Sequence, residues 1–157
     1  MSRYARETGV SVEKSQVEIK RTLRRYGADN IVFGDSAGQR RAFVQFTYEN
    51  LPVRAIIPLP DPAEARFTKS PMGKRQRDPR ATLVEWEKAC RQQWRVLLLL
   101  IKAQLEGIQN EIFTPREVFL SWLVLPSGQT VSQWALPQLE AAEKHGGLPA
   151  LPLPGGD

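Results

Sequence analysis

The segment Thr82–Glu106, TLVEWEKACRQQWRVLLLLIKAQLE, limits what this chain can fold into more than any other stretch. At about 100° per residue, Leu83, Trp86, Cys90, Trp94, Leu97, Leu98, Ile101 and Leu105 fall on one side. Lys88, Arg91, Arg95 and Lys102 gather on another. The period predicts an amphipathic helix of roughly 40 Å, enough to span a small domain. Asp78 can cap its first turn, Pro79 suits the first helical position and Gly107 suits the end. Val96–Ile101 is apolar almost all round. Leu99 therefore points to the charged side and requires a second cover: another helix, the tail or a partner chain.

A chain of 157 residues with 41% hydrophobic and 25% charged residues predicts one soluble globular domain. No apolar run reaches the roughly 18 to 20 residues of a membrane span, and MSRYARETGV lacks a signal-peptide core. The single cysteine, Cys90, leaves no internal disulfide, so a cytoplasmic setting is expected. Charge is uneven. Residues 1–80 hold sixteen Lys/Arg against nine Asp/Glu, the remainder six against eight, which makes the first half the natural side for a polyanion.

Ahead of the long helix, residues 1–10 are expected as a loose arm. Ser11 then caps a helix over Val12–Tyr26, with Val12, Ile19, Leu23 and Tyr26 as its stripe. Lys20, Arg21, Arg24 and Arg25 lie opposite. Such cations complement a helix C-terminus by about 0.3–1 kcal/mol each, but four within six residues exceed that need and suggest a phosphate-facing patch. A three-stranded meander follows: Asn30–Gly34, Arg41–Tyr48 and Val53–Ile57, separated by turns at Asp35–Gly38 and Glu49–Pro52. Ala42, Val44, Phe46 and Tyr48 share one face with Val53, Ala55 and Ile57. Arg41, Phe43, Gln45, Arg54 and Ile56 share the other. On that second face Phe43 is either a base-stacking platform among arginines or a core residue under further cover. Residues 61–80 form a long polar connection whose Lys74, Arg75, Arg77 and Arg80 lead into the long helix as a linker or binding arm.

Beyond the long helix, Thr114-Pro115-Arg116-Glu117 is a capping box that opens a short helix through Trp122 and Leu123. Leu123–Leu125 reads as extended, Pro126-Ser127-Gly128 as a turn and Gln129–Val131 as the return. Ser132 caps a last helix to which Pro137 is an obstacle. The compact unit is residues 11–145, followed by a Pro/Gly-rich tail, 146–157. The predicted fold is therefore α+β: an N-terminal helix, a three-stranded antiparallel β-meander, a long central helix and C-terminal short helices.

Chemistry-bearing patterns are sparse. His145 and Cys90 are each the single residue of their type, so metal-ligand spacing and a nucleophile–His–acid triad are both unsupported. The glycines form no phosphate-cradling motif. No cofactor, metal or catalytic residue is assigned. A carboxylate-only metal-dependent nuclease, whose ligands have no fixed spacing, is the remaining enzymatic reading.

The order helix, meander, helix resembles the double-stranded RNA-binding domain, with KRQRDPR in place of its phosphate-holding cations, although the Lys-rich motif is missing and the loop is longer. It is also similar to the core of single-strand annealing proteins. A fuller resemblance rests on RYGA (25–28), VRAIIPLP (53–60), WEKACRQQWRVLLLLIKAQLE (86–106) and FLSWLVLPSGQTV (119–131). These resemble a family of small bacteriophage- and prophage-encoded proteins of unknown function. The resemblance implies a mobile-element setting, in which small basic proteins often serve DNA replication or recombination. The expected function is thus non-catalytic nucleic-acid binding, DNA before RNA. Lys20, Arg21, Arg24, Arg25, Arg41, Arg54, Lys74, Arg75 and Arg77 would be on phosphates and Phe43 on bases. The alternative is an interaction protein that binds a host or phage protein through Leu99, Trp122 and Trp134. A homo-oligomer through the long helix or the C-terminal segment is expected in either case.

Overall fold

The computed structural model describes residues 3–36 and 38–147, with side chains from residue 12 onward. Among these residues the chain order is α1 (Arg3–Arg25), β1 (Asp29–Ser36), β2 (Arg41–Tyr48), β3 (Leu51–Pro58), α2 (Ala65–Thr68), α3 (Pro79–Gln109), α4 (Pro115–Val118), a 3-10 turn (Leu120–Trp122) and α5 (Val131–Gly146). The α+β architecture is the one expected. The tail beyond Gly147 lies outside the described residues.

At 1.5 Å per residue α3 is about 46 Å long. Its start follows the sequence: an Asp78 carboxylate oxygen accepts from the Ala81 N–H at 2.9 Å, and Pro79 needs no partner at the first position. Its end does not stop at Gly107. Asn110 is the cap, Glu111 takes the left-handed conformation (φ 56°), and the Ile112 N–H reaches the Gly107 carbonyl at 3.0 Å. Together with Glu111 N–H to Ile108 C=O at 3.0 Å, this is a Schellman closure built without glycine at its pivot. Cys90, Trp94, Leu97, Leu98, Ile101 and Leu105 are buried as expected, whereas Leu83 stays exposed.

α1 begins at Arg3, so residues 3–10 belong to the helix and not to an arm. Gly9 and Ser11 each cost a helix at most about 1 kcal/mol, too little to stop it. Ile19 and Leu23 are fully buried. Tyr26, just past α1, hydrogen-bonds through its hydroxyl to the Glu106 carboxylate, and Lys102 lies 3.8 Å from Glu18. Chain position increases together along both helices, so α1 and α3 run parallel.

The sheet order is β1-β2-β3, antiparallel throughout. Glu49 and Asn50 both have positive φ (46° and 63°), the two-residue hairpin turn that matches strand twist. Ala42, Val44, Phe46, Tyr48, Val53 and Ala55 are buried under the helices, as the alternation predicts. β1 is longer than expected: Asp35 and Ser36 pair with Ala42 and Arg41, and a bulge lies between Asp29 and Val32. β3 starts before Pro52, which its outer-edge position tolerates.

That edge is then covered. Leu123 bridges Val53, the Val124 N–H donates to the Pro52 carbonyl at 2.9 Å, and Val124 bridges Thr130 across the Pro126–Gly128 turn. The extended–turn–return reading holds. The Thr114/Glu117 capping box is formed in both directions, at 3.3 and 2.8 Å. The helix it opens breaks after Val118 so that Phe119 can turn inward. Phe119 is fully buried, edge-on to Phe46 (5.5 Å) and Tyr48 (5.7 Å). α5 is capped by Thr130 and Gln133 in a second capping box, two residues before the expected Ser132.

Phe119 is thus the apolar pin that holds the C-terminal third to the sheet. Phe119→Ala is expected to lower unfolding free energy by about 3–5 kcal/mol. Ile112→Ala, at a side chain 66% exposed, should stay within about 0.5 kcal/mol of the parent. Urea denaturation of both variants checks the contrast.

Candidate nucleic-acid interface

Burial of Ile19, Thr22 and Leu23 turns the other side of α1 outward. Arg21, Arg24 and Arg25 are exposed there and Lys20 half-buried. The Arg25 guanidinium lies 5.4 Å from the Tyr26 ring centre. Among the described residues none of these four cations pairs with a carboxylate.

Residues 61–80, expected as a linker or a binding arm, form an ordered cap on the start of α3. Phe67 is buried, the Trp86 indole N–H donates to the Pro60 carbonyl at 2.7 Å, and Lys69 bridges Gln76. One aromatic among many charges was enough to anchor it. Asp61 accepts from the Ala63 N–H at 2.9 Å and pairs with Arg40; both interactions hold its carboxyl below the usual range. Lys74 and Arg75 stand exposed at the tip of this cap, where the Ser70 N–H donates to the Arg75 carbonyl.

Other predicted contact residues are also engaged within the fold. Arg77 donates to the Arg66 and Phe67 carbonyls at 3.2 and 3.3 Å, filling acceptors left open at the end of α2. Arg54 donates to Gln45 at 3.0 Å and to the Gly128 carbonyl at 2.9 Å, so it clamps the C-terminal hairpin across the sheet. Phe43 is half-buried and lies over Gly34, where a Cβ would sit 2.4 Å from its ring. The glycine backbone thus occupies one side of the ring that sequence reasoning offered to bases. Arg41 remains exposed, at the strand end opposite Ser36 and Pro58.

The sites divide into two groups at opposite ends of α3. Lys74 and Arg75 precede Pro79, whereas Arg24 and Arg25 adjoin Tyr26, which is tied to Glu106. Twenty-seven residues of helix separate Pro79 from Glu106, about 40 Å.

The predicted interaction residues lie elsewhere. Leu99 is 59% exposed; no described segment supplies the second cover expected for it. Val96 and Leu100 are exposed beside it. Trp122 is half-buried, stacked on Phe119 at 6.3 Å, and Trp134 is exposed on α5. Two apolar clefts flank α3. One, about 330 Å³, is lined by Ile57, Gln93, Leu97, Leu100 and Trp122. The other, about 910 Å³, is lined by Gly107, Ile112, Phe113 and Val118. Sequence reasoning missed the larger cleft, although Phe113 and Val118 flank the capping box as a hydrophobic staple would.

Among the described residues no three of His, Cys, Asp and Glu come together as metal ligands would, and no helix is long and apolar enough to cross a membrane. Cys90 is buried in α3; desolvation first, then the neighbouring Glu87, push its thiol up to about 11. Comparison with protein-family models, curated proteins and solved structures gives no match for this chain.

The thiol predicts a pH dependence. Its folded value is raised above the unfolded value of about 8.5, so its contribution to stability is complete below about pH 8.5 and lost as pH rises toward 11. Urea midpoints of the parent should fall across that interval more steeply than those of Cys90→Ala.

Proposed function

We propose that this chain binds nucleic acid without catalysing a reaction, gripping the phosphate backbone at two separated points. The observation that carries this reading is a number of exposed or half-exposed cations that no described carboxylate pairs with, among them Lys20, Arg21, Arg24 and Arg25 at one end of α3 and Lys74 and Arg75 at the other. Phosphate contacts supply most non-specific affinity and need no base-reading surface. Arg41 stands at the sheet end, on the strand beside Arg40, whose salt bridge to Asp61 ties it to the segment leading into α2. Arg54 and Arg77 contribute by holding the scaffold. The resemblance to phage and prophage proteins supports DNA as the ligand, RNA being the lesser candidate, and a role in replication or recombination in a bacterial cytoplasm.

A second reading, an interaction protein, is supported by the open apolar side chains of the C-terminal half, Leu99, Trp122 and Trp134 among them. Self-association through these elements accompanies either reading.

The separation of the basic groups makes the first reading specific. At 3.4 Å per base pair, about 40 Å corresponds to about 12 base pairs. Fluorescence anisotropy with duplexes of graded length should show affinity rising steeply up to that length and little beyond it. Arg24→Glu with Arg25→Glu should reduce the slope of log affinity against log salt by about 2, as should Lys74→Glu with Arg75→Glu. No binding of single- or double-stranded oligonucleotides by micromolar protein at about 50 mM salt would end this reading, since backbone contacts are strongest at low salt.

A further inference from the structure

α5 is a sixteen-residue helix that buries none of its residues and packs on the 3-10 turn. Isolated helices of this length are marginal in water, and Pro137 removes one hydrogen bond from its interior. Leu136 and Leu139 are about half exposed. With Glu140 and Glu143 they fall within about 100° of the helix circumference, an apolar strip edged with acid. On α3, Val96, Leu99 and Arg95 share a comparable arc, and Arg91, Gln92 and Arg95 line a recess with Val96 and Leu99 that Ser15 of α1 borders on one side. That strip is apolar and edged with base. One chain therefore carries two complementary surfaces, whose apolar side chains Val96, Leu99, Leu136 and Leu139 each stay about half exposed.

We infer that α5 of one copy lies on the exposed face of α3 of a second copy, reciprocally, in a two-fold dimer. The inference rests on the second reading above and names its occupant. Folding α5 back onto its own α3 is disfavoured by its root. The Thr130/Gln133 capping box and the Val131 N–H to Leu123 carbonyl bond, 2.9 Å, fix the direction in which the helix leaves the hairpin. A second copy accepts the helix as it stands. The root also lies near this strip: Trp122, in the turn on which α5 packs, lines the neighbouring cleft, and Gln92 and Val96 border both that cleft and the Arg91/Arg95 recess. Donor and acceptor surfaces are thus neighbours, as a closed isologous contact requires, and each contact is made twice.

Sedimentation velocity on the full chain, nuclease-treated so that nucleic acid cannot bridge copies, tests this. The parent should sediment as a dimer. Leu99→Asp should weaken the dimer by about tenfold or more, as loss of a central apolar contact does. Glu140→Lys with Glu143→Lys should weaken it as well, and adding Arg91→Glu with Arg95→Glu should restore it. The α5 charge variant changes exposed positions only, so it remains informative if Leu99→Asp fails to fold. A monomeric parent at about 100 μM, a dimer indifferent to both sets of changes, or assembly solely with an unrelated protein would overturn the inference. Oligonucleotide binding is read separately, and reversal at Arg24 and Arg25 should leave the dimer mass unchanged.

Discussion

The inward stripe of α3 is the surface on which the other elements depend. α1 lies along it in the same direction and the meander lies against it through β2 and β3, so the core is one continuous cluster from Ile19 to Phe119. A three-stranded sheet of eight-residue strands covers only part of a 31-residue rod. The ends of the rod therefore project past the sheet, and the chain uses each differently. The 61–78 cap is folded over the beginning, pinned by Phe67 and Trp86. The Schellman turn and the capping box of α4 close the other end and direct Phe119 back under the strands.

This arrangement explains why the basic residues do not form one patch. The cations of α1 travel with its C-terminus, and parallel packing carries that terminus to the far end of α3. The cations of the 61–78 cap are fixed to the near end. Charge counted along the sequence suggested one basic half; in three dimensions the cations of α1 and those of the cap fall at different ends of α3. The sheet's outer face presents fewer free groups than its sequence implied, because Arg54 is bonded to carbonyl and amide oxygens and Phe43 covers the Gly34 backbone.

Features set by local spacing were legible in advance: the period of α3, its Asp78-Pro79 start, the alternation in β2 and the Thr114 capping box. Those settled by tertiary partners were not. Gly107 looked like a helix end, but Glu111 takes the left-handed position about one turn later in the chain, leaving glycine inside the helix. Residues 61–80 looked like a linker or a binding arm because cations dominate their composition, whereas one buried phenylalanine and several backbone bonds determine their order. Arg77 and Arg54 could not be told from free cations, since their acceptors are carbonyl and amide oxygens distant in sequence. Leu99 was correctly placed on the polar side of α3, but the cover expected over it is absent among the described residues.

The parallel pairing of α1 with α3 also sets an order of events during synthesis. Tyr26 and Glu106 meet across 80 positions of chain, and long-range closure of this kind slows folding relative to local contacts. At about 5–20 residues per second, α1 and the whole meander leave the ribosome several seconds before the second half of α3. In that interval the inner face of the sheet and the stripe of α1 have only each other as cover. The arrival of Trp94 through Leu105 completes the core, so the N-terminal half waits for its lining to be made.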